Sequence, residues 1–206
     1  MALYADRRDA GAALADELER WRGSDAVVVG IARGGVVVAA EVARRLGLPL
    51  WAIAARKLGA PGNAEFAIGA IAADARIVDE RALRRERVSP DQLRQIEARE
   101  REALGRRQAS FGVATPDLRD RPVLLVDDGV ATGATAVVAA RALRARSVAS
   151  VVLAVPVAPA RWMPGPADFD EVVCPHPARD FWAVGAFYDD FTQTTDEEVS
   201  RLLRGG

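Results

Sequence analysis

The stretch VLLVDDGVATGATA, residues 123–136, decides the fold of this chain. Its four leading apolar residues predict a buried strand of a parallel sheet. Two carboxylates, Asp127 and Asp128, follow at the end of that strand, and a loop of small residues leads into an apolar helix. Ligands collect at the carboxyl ends of strands in open α/β sheets, and the free N–H groups of a helix N-terminus bind phosphate. The stretch therefore predicts a phosphate site beside two acids, which suits the hydroxyls and the phosphate of a sugar phosphate.

Spacing excludes two other phosphate-binding motifs. A Walker loop requires GxxxxGK[ST], and no lysine follows Gly133. The dinucleotide fingerprint GxGxxG is absent, because Gly30, Gly34 and Gly35 are spaced differently. An ordinary NTPase or a Rossmann dehydrogenase is therefore not expected. A tight strand-to-helix turn whose acids only cap a helix remains the structural alternative.

Length and composition indicate one globular domain over residues 1–206. Half of the residues are apolar and the net charge is −1, which favours neither nucleic acid nor a membrane surface as a partner. A single cysteine, Cys174, excludes an internal disulfide bond and fits a reducing compartment. No apolar run approaches the ~20 residues of a membrane helix, and the first residues lack a signal-peptide core. We therefore expect a cytoplasmic protein.

Strand and helix patterns alternate along the rest of the chain, which predicts an α/β fold with a parallel sheet flanked by helices. Strands are expected at residues 26–32, 50–54, 123–126, 150–155 and 171–174, with short strands or a hairpin at 67–80. Helices are expected at residues 6–21, 36–47, 90–111 and 134–146 and from residue 195 onward. We interpret residues 75–110 as a charged helical insertion, exposed to solvent, with internal salt bridges. Residues 160–195 are expected to form a small C-terminal hood.

Two further turns are expected at the same edge of the sheet. Arg33, Gly34 and Gly35 follow the first strand and open a helix, so the bare glycine backbone and the helix N-terminus favour an anion. Arg56 and Lys57 follow the second strand. Lys57 is the one lysine of the chain, which makes it a candidate for a site that needs a compact ammonium. A plain turn and a solvated basic pair are the alternatives.

Two kinds of segment are candidates to cover the site. Residues 58–66 contain the glycine, proline and asparagine of a mobile lid, although residues 75–110 are an equal candidate for that role. The stretch FWAVGAFYDDF, residues 181–191, supplies aromatic rings on which a planar acceptor can stack. The acceptor candidates are Phe187, Tyr188 and Phe191. Hydrophobic packing of the hood is the alternative for each ring.

Residues 123–136 resemble the motif of the type I phosphoribosyltransferases that binds phosphoribosyl pyrophosphate (PRPP). In that family a hydrophobic strand runs into two acids and a loop rich in glycine and threonine. The resemblance implies that Asp127 and Asp128 hold the ribose hydroxyls of PRPP and that the loop wraps its 5′-phosphate. The loop residues are Ala131, Thr132, Gly133, Ala134 and Thr135. The resemblance also implies a pyrophosphate loop formed by Arg33, Gly34 and Gly35, together with Arg56 and Lys57.

Over the whole chain, the sequence looks like uncharacterised bacterial phosphoribosyltransferases that carry an RKLG-P-N segment and a C-terminal FYxDF. This resemblance implies an enzyme that transfers ribose 5-phosphate from PRPP to a nitrogen acceptor, such as a nucleobase, and releases pyrophosphate. Catalysis is then expected to rest on Asp127, Asp128, Lys57 and Arg33.

The same resemblance implies Mg²⁺ as the cofactor, held through substrate and water, with Asp127 and Asp128 the carboxylates available to it. The expected partners are PRPP and a small acceptor, and the assembly considered is a homodimer. Neither a membrane nor nucleic acid is expected as a partner. A regulator that senses PRPP or a nucleotide without turnover is the alternative function, and only the arginine-rich residues 81–107 favour it.

Overall fold

A computed structural model describes residues 2–165 and 167–205, without the side chains of Ala64 and Glu65. Met1, Pro166 and Gly206 lie outside the described residues. The predicted hood is therefore described without Pro166, and the predicted lid without those two side chains.

The centre of the molecule is a seven-stranded sheet. Its strands are β1 (Val27–Ala32), β2 (Leu50–Ala60), β3 (Asn63–Ala72), β4 (Ala75–Val78), β5 (Pro122–Val126), β6 (Ser150–Ala154) and β8 (Glu171–Val173). Their order across the sheet is β4-β3-β2-β1-β5-β6-β8. Strands β2, β1, β5, β6 and β8 run parallel to one another. At one edge of the sheet, β3 pairs antiparallel with both β2 and β4. Two further strands, β7 (Val157–Pro159) and β9 (His176–Ala178), form a small separate sheet.

In the described part of the chain, six α-helices flank these strands: α1 (Arg7–Glu17), α2 (Gly34–Leu46), α3 (Glu80–Arg85), α4 (Pro90–Ser110), α5 (Ala134–Arg144) and α6 (Asp196–Leu203). Ser89 begins α4 with the capping box that SPDQ predicts, because its side chain accepts from the Gln92 N–H and Gln92 bonds back. The predicted α/β fold with a parallel sheet flanked by helices is confirmed, and the structure adds an antiparallel edge formed by β3 and β4. No helix in the described ranges is long and apolar enough to cross a membrane.

Strand β2 is much longer than the sequence indicates. Its first half pairs with β1 up to Ala54, and from Ala55 onward it pairs with β3 on its other edge. The prediction of a lid loop at residues 58–66 is therefore wrong, because these residues belong to β2, to β3 and to the turn between them. β2 and β3 enclose a two-residue turn, where Gly62 has a φ of +79°.

The long helix α4 is exposed to solvent on one face, where the predicted internal salt bridges form between Arg94 and Asp91 and between Arg106 and Glu102. Its other face is not solvated, which the charge pattern does not predict. Glu97 and Glu100 are buried and form ion pairs with strand arginines, with Arg76 at 2.9 Å and with Arg56 at 2.6 Å respectively. The Gln108 side chain bonds to the N–H of Ala54 and the carbonyl of Ala52, at the edge of β2 away from β1. Helix α4 is thus docked on the sheet, and the first residues of the predicted insertion form the edge strand β4.

Candidate active site

The acid pair emerges where β5 ends. The Asp128 N–H donates to Asp127 Oδ1 at 2.9 Å, which fixes the two carboxyls relative to each other. Both carboxyls are largely surrounded by protein, and this desolvation is the main reason why their pKa values lie above the ordinary aspartate range. The charge of Asp128 raises the pKa of Asp127 further, to well above its usual value. The pair therefore resists carrying two full negative charges at once.

Arg7, which the sequence did not single out, binds Asp128. Its Nε donates to Asp128 Oδ2 at 2.8 Å, and its Nη1 donates to the carbonyl of Thr192 at 2.8 Å. The guanidinium lies 3.9 Å from the centre of the Phe191 ring. The Arg7 side chain is only 11 % exposed and that of Asp128 16 %. Arg7 holds the pKa of Asp128 lower than burial alone would leave it.

The glycine turn after β1 lies directly against the acids. A Cβ on Gly34 would overlap Asp128 Oδ2 and lie 2.7 Å from Arg7 Nε. A Cβ on Gly35 would lie 2.8 Å from both the Cα and Oδ1 of Asp127. Only glycine lets the N-terminus of α2 approach the pair this closely. The predicted pyrophosphate turn and the predicted ribose ligands are therefore in contact.

The small-residue loop encloses a cavity of about 180 Å³ at the N-terminus of α5. Gly133 caps this helix with a φ of +81°, a conformation that favours glycine. The cavity is lined by Asp127, by loop residues that include Thr132, Gly133 and Thr135, and by Val184 from the C-terminal segment. Of the five predicted loop residues, Ala131, Thr132 and Gly133 precede α5, whereas Ala134 and Thr135 are its first two residues. All except Ala134 line the cavity.

Trp162 supports this loop from outside, and no sequence pattern pointed to it. Its Nε1 donates to the Thr132 carbonyl at 3.2 Å. A Cβ on Gly133 would lie 2.6 Å from the same Nε1 atom, so the indole ring rests on the bare glycine backbone. The proline-rich surroundings of Trp162 indicated only a connection between strands. Trp162 reaches the loop through a contact with a residue 30 positions away in the chain, which local sequence patterns do not reveal.

Two of the three predicted acceptor rings, Tyr188 and Phe191, contact each other. The Tyr188 hydroxyl donates to the Asp128 carbonyl at 2.5 Å, and Tyr188 is only 5 % exposed. Its ring lies 5.0 Å from Phe191, which packs under Arg7. Burial and the nearby Asp128 charge raise the pKa of Tyr188. Stacking of an acceptor on Tyr188 therefore does not fit the structure, and Phe187 already stacks on Phe181 at 5.5 Å.

Arg56 and Lys57 lie beside a neighbouring cavity of about 310 Å³ rather than in the loop cavity. Because β2 is longer than expected, both residues fall within the strand and not after it. Arg56 is bound to Glu100 of α4 at 2.6 Å. Arg33 begins α2, after a cis peptide bond with Ala32. It lies close enough to Arg107 for the two charges to interact.

The carboxylates at the site suit a metal ion that substrate and water largely hold. No group of three or more His, Cys, Asp or Glu side chains suited to a metal occurs within the described ranges. Asp127 and Asp128 are paired, and one Asp128 oxygen is occupied by Arg7. Mg²⁺ commonly binds one or two carboxylates together with substrate phosphates and water. The residues present fit that arrangement and not an all-protein cage.

Comparison with known proteins agrees with this geometry. The phosphoribosyl transferase domain family matches residues 3–192. A Mycobacterium tuberculosis protein provisionally named a phosphoribosyl transferase is 42% identical over 207 residues. That match covers 98% of this chain and 47% of the relative, so the chain spans about half the length of the curated relatives it matches.

Solved structures show the same fold. A crystal structure of a Thermus thermophilus protein has 41% identity and a TM-score of 0.76, and the match covers 97% of both chains. A hypoxanthine phosphoribosyltransferase from Staphylococcus aureus has 13% identity and a TM-score of 0.52, with 88% of this chain and 79% of that chain covered, and supports the fold alone. Because the family match runs through both the glycine turn and the acid pair, this chain belongs to the phosphoribosyl transferase family.

Proposed function

We propose that this protein transfers ribose 5-phosphate from PRPP to a nitrogen atom of a planar acceptor and releases pyrophosphate. The observation that carries the proposal is the contact between three parts at one sheet edge. These parts are the acid pair Asp127 and Asp128, the bare glycines of the turn after β1, and the cavity at the N-terminus of α5. Each part suits a different portion of one sugar phosphate.

The cavity at α5 would receive the 5′-phosphate. Backbone N–H groups at a helix N-terminus bind phosphate through hydrogen bonds and the helix dipole. Thr132 and Thr135 line the same cavity and add two hydroxyl donors. Asp127 and Asp128, which follow β5 directly, would accept hydrogen bonds from the ribose hydroxyls. The sugar would then lie across the end of the strand.

The reaction breaks the bond between C1 and the pyrophosphate oxygen and forms a bond from C1 to the acceptor nitrogen. Residues 129–135 contain no titratable side chain, so the loop offers no general base. Catalysis would therefore rest on positioning and electrostatics. Arg33 and Lys57 would stabilise the charge on the leaving pyrophosphate, and the acids would favour positive charge on the ribose ring. Asp127 and Asp128 are the residues that would help to hold Mg²⁺ through substrate and water, and the ion would supply positive charge against that of pyrophosphate.

A regulator without turnover is not favoured. Its only support was the arginine-rich segment, which would need a free basic surface to bind nucleic acid. Several arginines of that segment instead form ion pairs with acids of the same segment, among them Arg94 with Asp91 and Arg106 with Glu102. The net charge of −1 gives no general attraction for a polyanion either.

The test is pyrophosphate release from PRPP and Mg²⁺ with a panel of purine and pyrimidine bases. We expect release with one class of acceptor. In the double variant Asp127→Asn/Asp128→Asn, release should fall by about 100-fold or more, because preorganised charges supply effects of that size. Circular dichroism would check that the double variant keeps its fold. Wild-type rates in a folded double variant would show that the acids do not hold the ribose.

A further inference from the structure

Helix α4 carries an arginine into the cavity that borders Arg56 and Lys57. Arg107 lies in the last turn of α4, and its side chain is mostly buried. The cavity of about 310 Å³ is lined by Arg56, Lys57, Arg99 and Arg107, with Glu100 as the acidic side chain among them. We infer that Arg107 is a further binding residue of this site and contacts the pyrophosphate group of the substrate and product. The inference rests on the proposed function.

The position of Arg107 is fixed by its neighbours on α4. Gln108, the next residue, bonds to the backbone of Ala52 and Ala54 in β2 through both atoms of its amide. About two turns earlier in the helix, Glu100 binds Arg56 at 2.6 Å. Two anchors on either side hold this part of α4 against the strand that carries Arg56 and Lys57. The guanidinium of Arg107 is therefore delivered to the cavity by a rigid element.

Like charges meet in this cluster, which favours an anionic ligand. Burial lowers the pKa of Arg107, and the charges of Arg33 and Arg56 lower it further, whereas Asp196 opposes the shift. Glu100 is the ion-pair partner of both Arg56 and Arg99, so one carboxylate serves two guanidiniums. Guanidiniums removed from water and facing one another raise the free energy of the protein. A ligand with several negative oxygens relieves that repulsion.

The contact of Arg107 with Asp196 does not complete its hydrogen bonding. Arg107 Nε lies 3.4 Å from Asp196 Oδ1, which is longer than an ordinary hydrogen bond. Both atoms are buried, and neither has a hydrogen-bond partner within the described part of the chain. A buried N–H without an acceptor raises the free energy of the protein, so the ion pair with Asp196 holds the Arg107 guanidinium only weakly. Phosphate oxygens bind guanidinium through paired hydrogen bonds.

The test is calorimetric titration of inorganic pyrophosphate, with Mg²⁺, into wild type and Arg107→Gln. We expect Arg107→Gln to bind pyrophosphate at least about tenfold more weakly than wild type, as for the loss of a charge-assisted hydrogen bond. Ribose 5-phosphate affinity should stay unchanged, because its site is the other cavity. Arg106→Gln is the matched control, since Arg106 is exposed on the same helix and pairs with Glu102. Its pyrophosphate affinity should equal that of wild type.

A further variant separates binding from a structural role. Asp196→Asn removes the carboxylate that competes for Arg107, so it should bind pyrophosphate as tightly as wild type or more tightly. If Arg107 only pairs with Asp196, Arg107→Gln and Asp196→Asn both lower the melting temperature and leave pyrophosphate affinity unchanged, and the inference is overturned. If Arg107→Gln binds pyrophosphate and PRPP as tightly as wild type does, the role of Arg107 is overturned and the proposed function is not. A wild type that binds neither compound would overturn the proposed function as well.

Discussion

Replacement of Arg7 by alanine should destabilise the fold strongly, because it leaves the Asp128 carboxylate without its cation. Arg7 makes two hydrogen bonds of 2.8 Å, to Asp128 and to Thr192, and packs its guanidinium on Phe191. Removal of one partner from a buried ion pair costs about 3–5 kcal/mol. Both side chains keep some exposure, so we expect a loss of about 3 kcal/mol in the free energy of unfolding, at the lower end of that range.

The loss should depend on pH. Burial raises the pKa of Asp128 even while Arg7 is present, and removal of Arg7 raises it further. Between the unfolded and the raised folded pKa the folded state binds more protons, so the stability contributed by this carboxyl falls as the pH rises through that window. Below the window Asp128 is protonated and no longer needs a cation. Arg7→Ala should therefore lose more stability near pH 8 than near pH 5.

Urea unfolding at both pH values measures these effects. Arg7→Lys is the control that keeps the charge but loses the forked geometry, and it should cost less than Arg7→Ala. The double variant Arg7→Ala/Asp128→Asn should be more stable than Arg7→Ala alone, because the uncompensated charge is gone. A double variant whose loss equals the sum of the two single losses would show that Arg7 and Asp128 act independently. A loss that does not change with pH would contradict the assigned role of the Asp128 charge.

Three other substitutions, one of them with a matched control, test the geometry of the site. Gly34→Ala should weaken PRPP binding at least tenfold in calorimetric titration, since its Cβ would overlap Asp128 Oδ2. The control Gly105→Ala meets open space in α4 and should stabilise the helix by roughly 0.5–1 kcal/mol in urea unfolding. Equal behaviour of the two variants would contradict the close packing at Gly34. Trp162→Phe removes the bond to the Thr132 carbonyl and should weaken ribose 5-phosphate binding several-fold; unchanged affinity would show that the indole does not support the loop. Tyr188→Phe should lower the free energy of unfolding by about 1–3 kcal/mol because the buried Asp128 carbonyl loses its donor, and a wild-type urea midpoint would refute this.

The parts of the site that lie together in the sequence were predictable. Residues 123–136 run through strand, acids, loop and helix without a break, so local pattern alone located β5 and the start of α5. The glycine turn after β1 was predictable for the same reason. Parallel strands bring such turns to one edge of the sheet, so their proximity followed from the fold class.

The parts that depend on distant contacts were not predictable. Arg7 and Asp128 are 121 residues apart, and nothing distinguishes Arg7 from the other arginines in the sequence. The length of β2 depends on its change of partner at Ala55, which no local pattern records. The exposed face of α4 was predictable from its charges, but its packed face was not, because composition does not reveal that Glu97 and Glu100 face strand arginines. Aromatic content likewise does not distinguish packing from ligand stacking.

The central claim is that the edge of the sheet at Asp127 and Asp128 forms a site for PRPP. Calorimetric titration of PRPP into the protein, with and without Mg²⁺, tests it most directly. We predict saturable binding that Mg²⁺ strengthens, and binding weaker by about 1.5–3 kcal/mol in Thr132→Val, which lacks one hydroxyl donor to the phosphate. No binding of PRPP, ribose 5-phosphate or nucleoside monophosphates, under either condition, would contradict the claim.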